Sequence, residues 1–485
     1  MIINQSLQSG IFPDSLKIAK VIPIHKKDDN TSLDNYRPIS LLPVISKIFE
    51  KVIHKQLQQY FSENNLFYHS QYGFRPKHST ELAALHLIDK LTLDMDANET
   101  PINIYLDLSK AFDTINHNIL LDKLQYYGIH GKAHDLLKNY LTDRKQYVHL
   151  NGSDSSHKTI TTGVPQGSIL GPLLFIIYIN DLHKSCINLS AVIYADDTTL
   201  YGKMSTYGNQ NAATEINKEL VKISNWLKIN KLSLNVSKTK FMIFHKPRKN
   251  VTIPKLSMDN SLLVQCQSFN FLGIKLNQNL TWSDHIKHVS LKISRSLGQL
   301  KYLRHLLPTR ILLTVYNTII LPHLHYGILA WGSKAHLLTK LQMKSIRITT
   351  NSRYNAHTEP LLKNNSLLKI DDIYKVQLLN FYFKLKHQTL PTYFRCFPTT
   401  MNTDIHRYNT RRRNIFIPRV NHEFAKSSLR NSLISLINKT PSLITEKIHT
   451  HSFHGFSTYA KNYYINNYSI TCQRRYCYTC SNNNT

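Results

Sequence analysis

At 485 residues with 42% hydrophobic side chains, the chain has room for about two to four structural units and a sizeable core. Its net charge of +30 is unevenly placed: residues 1–200 hold 19 basic against 20 acidic side chains, and residues 201–485 hold 41 against 10. Such a field suits a polyanion spread over a large surface, nucleic acid first, whereas the longest apolar run, Ile169 to Ile179, is too short for a bilayer and is broken by Gly171-Pro172.

In chain order, Ala19–Ile24 is β-prone, Lys26-Lys27-Asp28-Asp29 forms a basic turn, and Val44–Phe61 and Thr80–Met95 have helical patterning. Ile102–Asp107 alternates as a short strand, with Ile102, Ile104 and Leu106 on one face and Asn103, Tyr105 and Asp107 on the other. Asp107 therefore ends the strand. The spacing of Phe112, Ile115, Ile119, Leu120 and Leu124 predicts a helix directly after it, stopped by Gly128. Ala191-Val192-Ile193 and Thr198–Tyr201 predict two strands joined by a tight turn, with Asp196 and Asp197 at its tip. A helix over 211–230, with Ile216, Leu220, Ile223 and Leu227 on one face, leads to a strand over Phe241–Phe244.

This order gives an α+β fold in which helices cover one face of a small antiparallel sheet. Beyond Asn270 the chain is mainly helical and basic, over 286–307, 310–320, 337–349 and 371–387, and the tail from about Met401 has weak periodicity. The N-terminus has no charged segment followed by an apolar one, so no signal peptide is expected. Six scattered cysteines fit a reducing compartment. An intracellular protein, in nucleus and cytoplasm, is the expectation. Cys472, Cys477 and Cys480 form C-x4-C-x2-C, with His449, His451 and His454 upstream, but no fourth ligand stands at close spacing. A structural zinc ion is therefore not expected there.

The chemistry concentrates on three carboxylates. An Asp-Asp pair in a turn is commonly a solvated loop, but two acids at a rigid tip repel each other unless a cation sits between them. Asp107 belongs to the same plausible sheet. If the strands are neighbours, Asp107, Asp196 and Asp197 converge, and three oxygen donors can hold two magnesium ions for phosphoryl transfer. Between them lies Gly163-Val164-Pro165-Gln166-Gly167-Ser168. Its glycines allow close backbone approach to a ligand, and Gln166 can hydrogen-bond sugar or base edges; the plainer reading is a turn capped by Ser168. No Walker loop, H-E-x-x-H or G-x-S-x-G competes with this set.

Taken together, the segments resemble the ordered motifs of reverse transcriptases, in particular those of non-LTR (LINE-type) retrotransposons of the Jockey and CR1 kind. Asn35-Tyr36-Arg37-Pro38-Ile39-Ser40-Leu41 and Gln71-Tyr72-Gly73-Phe74-Arg75 are similar to fingers motifs. Leu106–Asp113, Gly163–Gly171 and Tyr194–Asp197 are similar to three palm motifs. Trp226–Asn235 with Lys238-Thr239, Phe271-Leu272-Gly273 and Tyr408-Asn409-Thr410-Arg411 resemble the next motif, the primer-grip hairpin and part of the C-terminal region.

The resemblance implies a right-hand polymerase: fingers over 1–100, palm over 101–245, primer grip and thumb over 246–335, and a basic nucleic-acid-binding region over 336–485. It implies an RNA template, a DNA primer, deoxynucleoside triphosphates and two magnesium ions, with manganese as a substitute. Asp107, Asp196 and Asp197 take the place of the metal-binding carboxylates, and Phe112 that of an aromatic gate excluding a 2′-hydroxyl. Lys26, Lys27 and Arg37 correspond to triphosphate-holding residues, Gln166 and Gly167 to the nucleotide site, and Lys238 to a lysine assisting the leaving pyrophosphate. Such elements usually carry an endonuclease ahead of the polymerase, and this chain begins almost at the first fingers motif. A second expectation is an idle retroelement relic that only binds nucleic acid; the retention of all three acids argues against it. An RNA-templated RNA polymerase shares the palm logic, but bulky Phe112 and Tyr-Ala-Asp-Asp speak against it.

Overall fold

The computed structural model describes residues 2–26, 29–207, 211–397 and 415–469. It divides into two compact units: Met1–Ser79 with Ile102–Phe241 and Thr252–Cys266, and Thr80–Pro101 with Met242–Val251 and Gln267–Thr485.

The first unit is built on a five-stranded sheet ordered Val264–Gln265, Lys240–Ile243, Pro101–Leu106, Asp197–Lys203, Ser190–Tyr194. Pro101–Leu106 is buried on both faces, so its alternation is not one of core against solvent. Asn103 instead turns its amide inward and donates to Tyr105 Oη at 3.3 Å. The apolar run noted above becomes the helix Gly171–Tyr178, buried from Leu173 through Tyr178. The helix Ala212–Ile229 buries Ile216, Leu220, Ile223 and Leu227, the face its spacing predicts.

A second sheet pairs Tyr36–Leu41 antiparallel with Ile18–His25, which runs parallel to Lys145–Leu150. The strand Lys145–Leu150 escapes a reading of the sequence because it is largely solvent-facing and carries Lys, Gln and His among its apolar residues.

One predicted helix is corrected. Phe112 lies in a turn, and the helix starts only at His117 and runs to Tyr126. Lys110 has φ +47° and Asp113 N–H donates to Lys110 O at 2.8 Å, closing a turn that helical spacing cannot reveal. Asn116 then caps the helix, its Oδ1 accepting from Ile119 N–H at 3.2 Å.

The second unit is mainly helical. A hairpin of four-residue strands, Ser268–Phe271 with Ile274–Asn277, precedes the long helix Ser283–Leu303. The segment expected as one helix over 310–320 is Thr309–Val315 followed by a π turn over Tyr316–Ile320 and a short helix Leu321–His325 with Pro322 in its first turn. Thr339–Thr349 and Ile370–Lys386 are helices as expected. The tail is more ordered than its periodicity suggests, with helices Leu429–Lys439, Ser442–Thr450 and Phe453–Asn466. Arg430, from this tail, donates to Asp89 through Nε and Nη2 at 2.8–3.0 Å, and Tyr393 Oη donates to the same carboxylate at 2.7 Å. Among the described residues no helix is long and apolar enough to cross a membrane. Lys27, the Tyr408–Arg411 motif and Cys472, Cys477 and Cys480 lie outside the described residues.

Candidate active site

Asp107 follows the last residue of Pro101–Leu106, and that strand lies beside Asp197–Lys203 in the sheet. The neighbour relation required for three carboxylates to meet is therefore present. In the hairpin, Tyr194 pairs with Asp197, leaving Ala195 and Asp196 as the turn, with Ala195 at φ +55°. Asp197 is thus the first residue of the returning strand, one place beyond the tip. A turn at 235–239 holds the backbone of Asp107: Asn235 N–H donates to Asp107 O at 2.7 Å, and Asp107 N–H to Thr239 Oγ1 at 3.4 Å. Thr239 is fully buried there, while Lys238 beside it is exposed.

The carboxylates feel one another. Burial first, then the charges of Asp196 and Asp107, push the Asp197 carboxyl up to about 6. Asp196 is raised chiefly by burial and also by Asp107, and Lys26 and Arg37 pull it back down. Both basic residues are exposed at the loop end of their hairpin, where His25 pairs with Tyr36 and Lys26 N–H donates to Asn35 O at 2.8 Å. Among the described residues no three His, Cys, Asp or Glu side chains already form a metal cage. The donors nevertheless fit a hard divalent cation: they are oxygens, and their mutual repulsion is what a cation relieves.

The glycine-rich loop is fixed from three sides. Gly163 has φ +80°, and a Cβ there would stand 2.6 Å from Asp113 O; Gly167 has φ +126°, and its Cβ would stand 2.6 Å from Ser40 O. Ser40 N–H donates to Gln166 O at 2.7 Å, tying the loop to the Tyr36–Leu41 strand. Ser168 Oγ accepts from Gly171 N–H at 3.0 Å, but the helix starts later than its cap role requires: Leu170, not Ser168, is the N-cap residue. Glu50, fully buried, accepts from Ile169 N–H at 2.6 Å, from Leu170 N–H at 3.3 Å and from Tyr140 Oη at 3.1 Å, placing a carboxylate at the start of helix Gly171–Tyr178. Sequence reasoning missed Glu50, which carries no local signal.

Gln166 Nε2 lies 2.9 Å from both oxygens of Asp113, so the side chain is engaged by protein. Burial raises the Asp113 carboxyl, opposed by that bond and by Lys110. Phe112 is half-buried, its ring centroid 4.7 Å from that of Phe175 and 6.3 Å from that of Phe74.

The Gln71–Arg75 motif also belongs to this site. Tyr72 N–H donates to Ile193 O at 2.7 Å and Ile193 N–H to Ser70 O at 3.0 Å, adding a short parallel edge to Ser190–Tyr194. Gln71 Oε1 accepts from Gly73 N–H at 2.8 Å and from Ala195 N–H at 3.2 Å. Arg75 Nη1 donates to the carbonyls of Tyr68 and Gln71 at 2.9 and 3.0 Å, and burial pulls its guanidinium down to about 10.

Phe271, Leu272 and Gly273 belong to the second unit, where Leu272 at φ +46° and Gly273 at φ +83° make the tight hairpin turn. Phe271 is buried, and Tyr326 donates its hydroxyl to Leu272 O. The Tyr326 ring lies beneath Gly273, where a Cβ would meet it at 3.0 Å.

The reverse transcriptase (RNA-dependent DNA polymerase) family model matches residues 24–276, more than half of the chain, and the chain belongs to that family. The RNA-directed DNA polymerase from mobile element jockey of Drosophila melanogaster is 29% identical over 388 residues, covering 77% of this chain and 42% of that protein. The probable RNA-directed DNA polymerase from transposon BS of the same organism is 30% identical over 396 residues, with the same shares. The chain thus spans 42% of the length of these curated relatives. Apo telomerase from Candida tropicalis superposes with a TM-score of 0.40 at 12% identity, over 79% of this chain and 70% of that one, too loosely to argue from. Family membership bears out the α+β polymerase class and the resemblance to Jockey-type polymerases. Reverse transcriptase domains work with divalent metal ions.

Proposed function

We propose that the chain is an RNA-directed DNA polymerase of a non-LTR retrotransposon, extending a DNA 3′-hydroxyl along an RNA template with deoxynucleoside triphosphates. The observation that carries this reading is that Asp107 directly follows one strand and Asp197 begins its neighbour in the sheet, with Asp196 at the adjoining turn and within the field of Lys26 and Arg37. Asp107, Asp196 and Asp197 would hold two divalent ions, magnesium or in its place manganese, which when bound supply activation of the attacking hydroxyl and charge for the leaving group.

The chain's own residues do the positioning. Lys26, Lys27 and Arg37 draw in the triphosphate and offset the acidic cluster. Phe112, wedged between Phe74 and Phe175, is a stiff surface under the sugar, where added 2′ bulk meets a ring. Gly167 lets the loop backbone come close to the nucleotide, and Gln166, oriented by Asp113, lines the same pocket. Lys238, on the turn that fixes Asp107, stands ready for the departing pyrophosphate. The wider division follows: fingers over 1–100, palm over 101–245, primer grip and thumb over 246–335 with Phe271-Leu272-Gly273 at the grip, and a basic region over 336–485 binding template and primer. The protein would work in cytoplasm and nucleus.

Primer extension on an RNA template tests the reading. Deoxynucleotide incorporation that needs a divalent ion and is lost in Asp196→Ala is expected. A folded, RNA-binding wild type that extends nothing would overturn it in favour of an idle nucleic-acid-binding relic.

A further inference from the structure

The turn that presents Asp196 and Asp197 is not held by its own hairpin alone. Ala195 sits at φ +55°, a conformation a residue with a Cβ adopts reluctantly. Its N–H points to a side chain 124 residues away in sequence, Gln71. Gln71 is fully buried, and its one oxygen takes two backbone N–H groups, those of Gly73 and Ala195. Two donors facing the amide fix its orientation by chemistry: the oxygen must point at the turn and Nε2 away from it. Nε2 has no partner among the described residues, although it is buried. A glutamine that leaves half of its amide unsatisfied to bring the other half onto one turn is costly as packing. Gly73 closes the arrangement, since a Cβ there would stand 2.4 Å from Ala195 N and push the turn away.

We propose that Gln71 is a positioning residue for the candidate metal site, its amide oxygen pinning the left-handed Ala195 turn so that Asp196 and Asp197 are presented to one cation together. The inference rests on the reading of Asp107, Asp196 and Asp197 as metal-holding carboxylates. Gln71 touches neither metal nor substrate; it acts through the backbone of the turn. Groups that orient metal-holding side chains in this way commonly change metal affinity by about 10- to 100-fold when removed.

The test uses the full chain and Mn2+ as the probe, titrated without nucleic acid and read by electron paramagnetic resonance, with RNA binding and thermal melting alongside. Gln71→Met keeps the length and loses the acceptor; Gln71→Glu keeps an oxygen over both N–H groups. The expected result is Mn2+ binding weakened about 10-fold or more in Gln71→Met, near wild type in Gln71→Glu, and RNA binding unchanged in both. In primer extension, kcat should fall in Gln71→Met while KM for the nucleotide holds. Equal Mn2+ affinity in wild type and Gln71→Met, with only a lowered melting temperature, would make Gln71 merely structural and overturn the proposal. Should Gln71→Met not fold, Gln71→Asn, whose oxygen is withdrawn by one methylene, takes its place with the same expected and contrary results. A wild type whose Mn2+ binding is indifferent to Asp196→Ala would instead sink the metal reading beneath it, whatever Gln71 does.

Discussion

Asp197 is the residue where burial and like charge meet most directly. Its carboxyl is pushed from 3.8 up to about 6 in the folded protein, so the fold favours the neutral form. The sign follows: the stabilising effect of holding that proton is fully present below about pH 4 and is lost as pH rises through about 6. In metal-free buffer Asp197→Asn should therefore melt higher than wild type at pH 7.5 and show no such gain near pH 4. Thermal melts at the two pH values check this, and an equal difference at both would contradict the coupling. Phe112 carries a second prediction at this scale. Its ring is braced by Phe175 and Phe74, so Phe112→Val should open space under the sugar without unfolding the turn. Ribonucleotide incorporation, measured against deoxynucleotide incorporation, should rise; unchanged exclusion would remove Phe112 from the gate.

At the scale of elements, local pattern and long-range contact part company. The Asp196-Asp197 hairpin and the Ile102–Leu106 strand are legible in sequence because β-branched runs bounded by a turn are local signals. The spacing of Phe112 to Ile115 and Ile119 mimics a helix, whereas the left-handed Lys110 that opens the turn in its place has no sequence signature. Glu50 and Gln71 were illegible as site residues for another reason. The bonds that matter, Glu50 to Ile169 and Gln71 to Ala195, span 119 and 124 residues, and no local pattern records a hydrogen bond of that reach. The Gln71–Arg75 motif was visible only as a resemblance; its task of bracing the Ala195 turn emerged from the fold. The Leu272-Gly273 hairpin makes an element-scale prediction. Tyr326→Phe removes the hydroxyl bonded to Leu272 O and should cost about 1 kcal/mol. Hydrogen exchange should quicken at the turn; unaltered exchange at 270–275 would show that Tyr326 does not hold it.

At the scale of the whole molecule, charge and the tail matter most. Nearly all the excess positive charge follows residue 200, and template affinity should fall steeply with salt as neutralised phosphates release counterions. The tail does more than carry charge, because Arg430 and Asp89 form a bidentate pair in which the carboxylate is almost wholly buried. Arg430→Ala would leave that carboxylate without its cation, at a cost of about 3–5 kcal/mol. Limited proteolysis should then cleave within 415–469 well before wild type; unchanged protection would show that the pair is not what docks the tail. The central claim concerns the three carboxylates, and one measurement reaches it most directly: extension of a DNA primer on an RNA template with deoxynucleotides and magnesium, comparing wild type with Asp196→Ala at matched RNA binding. Wild type should extend the primer and the variant should not. DNA synthesis that survives Asp196→Ala would contradict it.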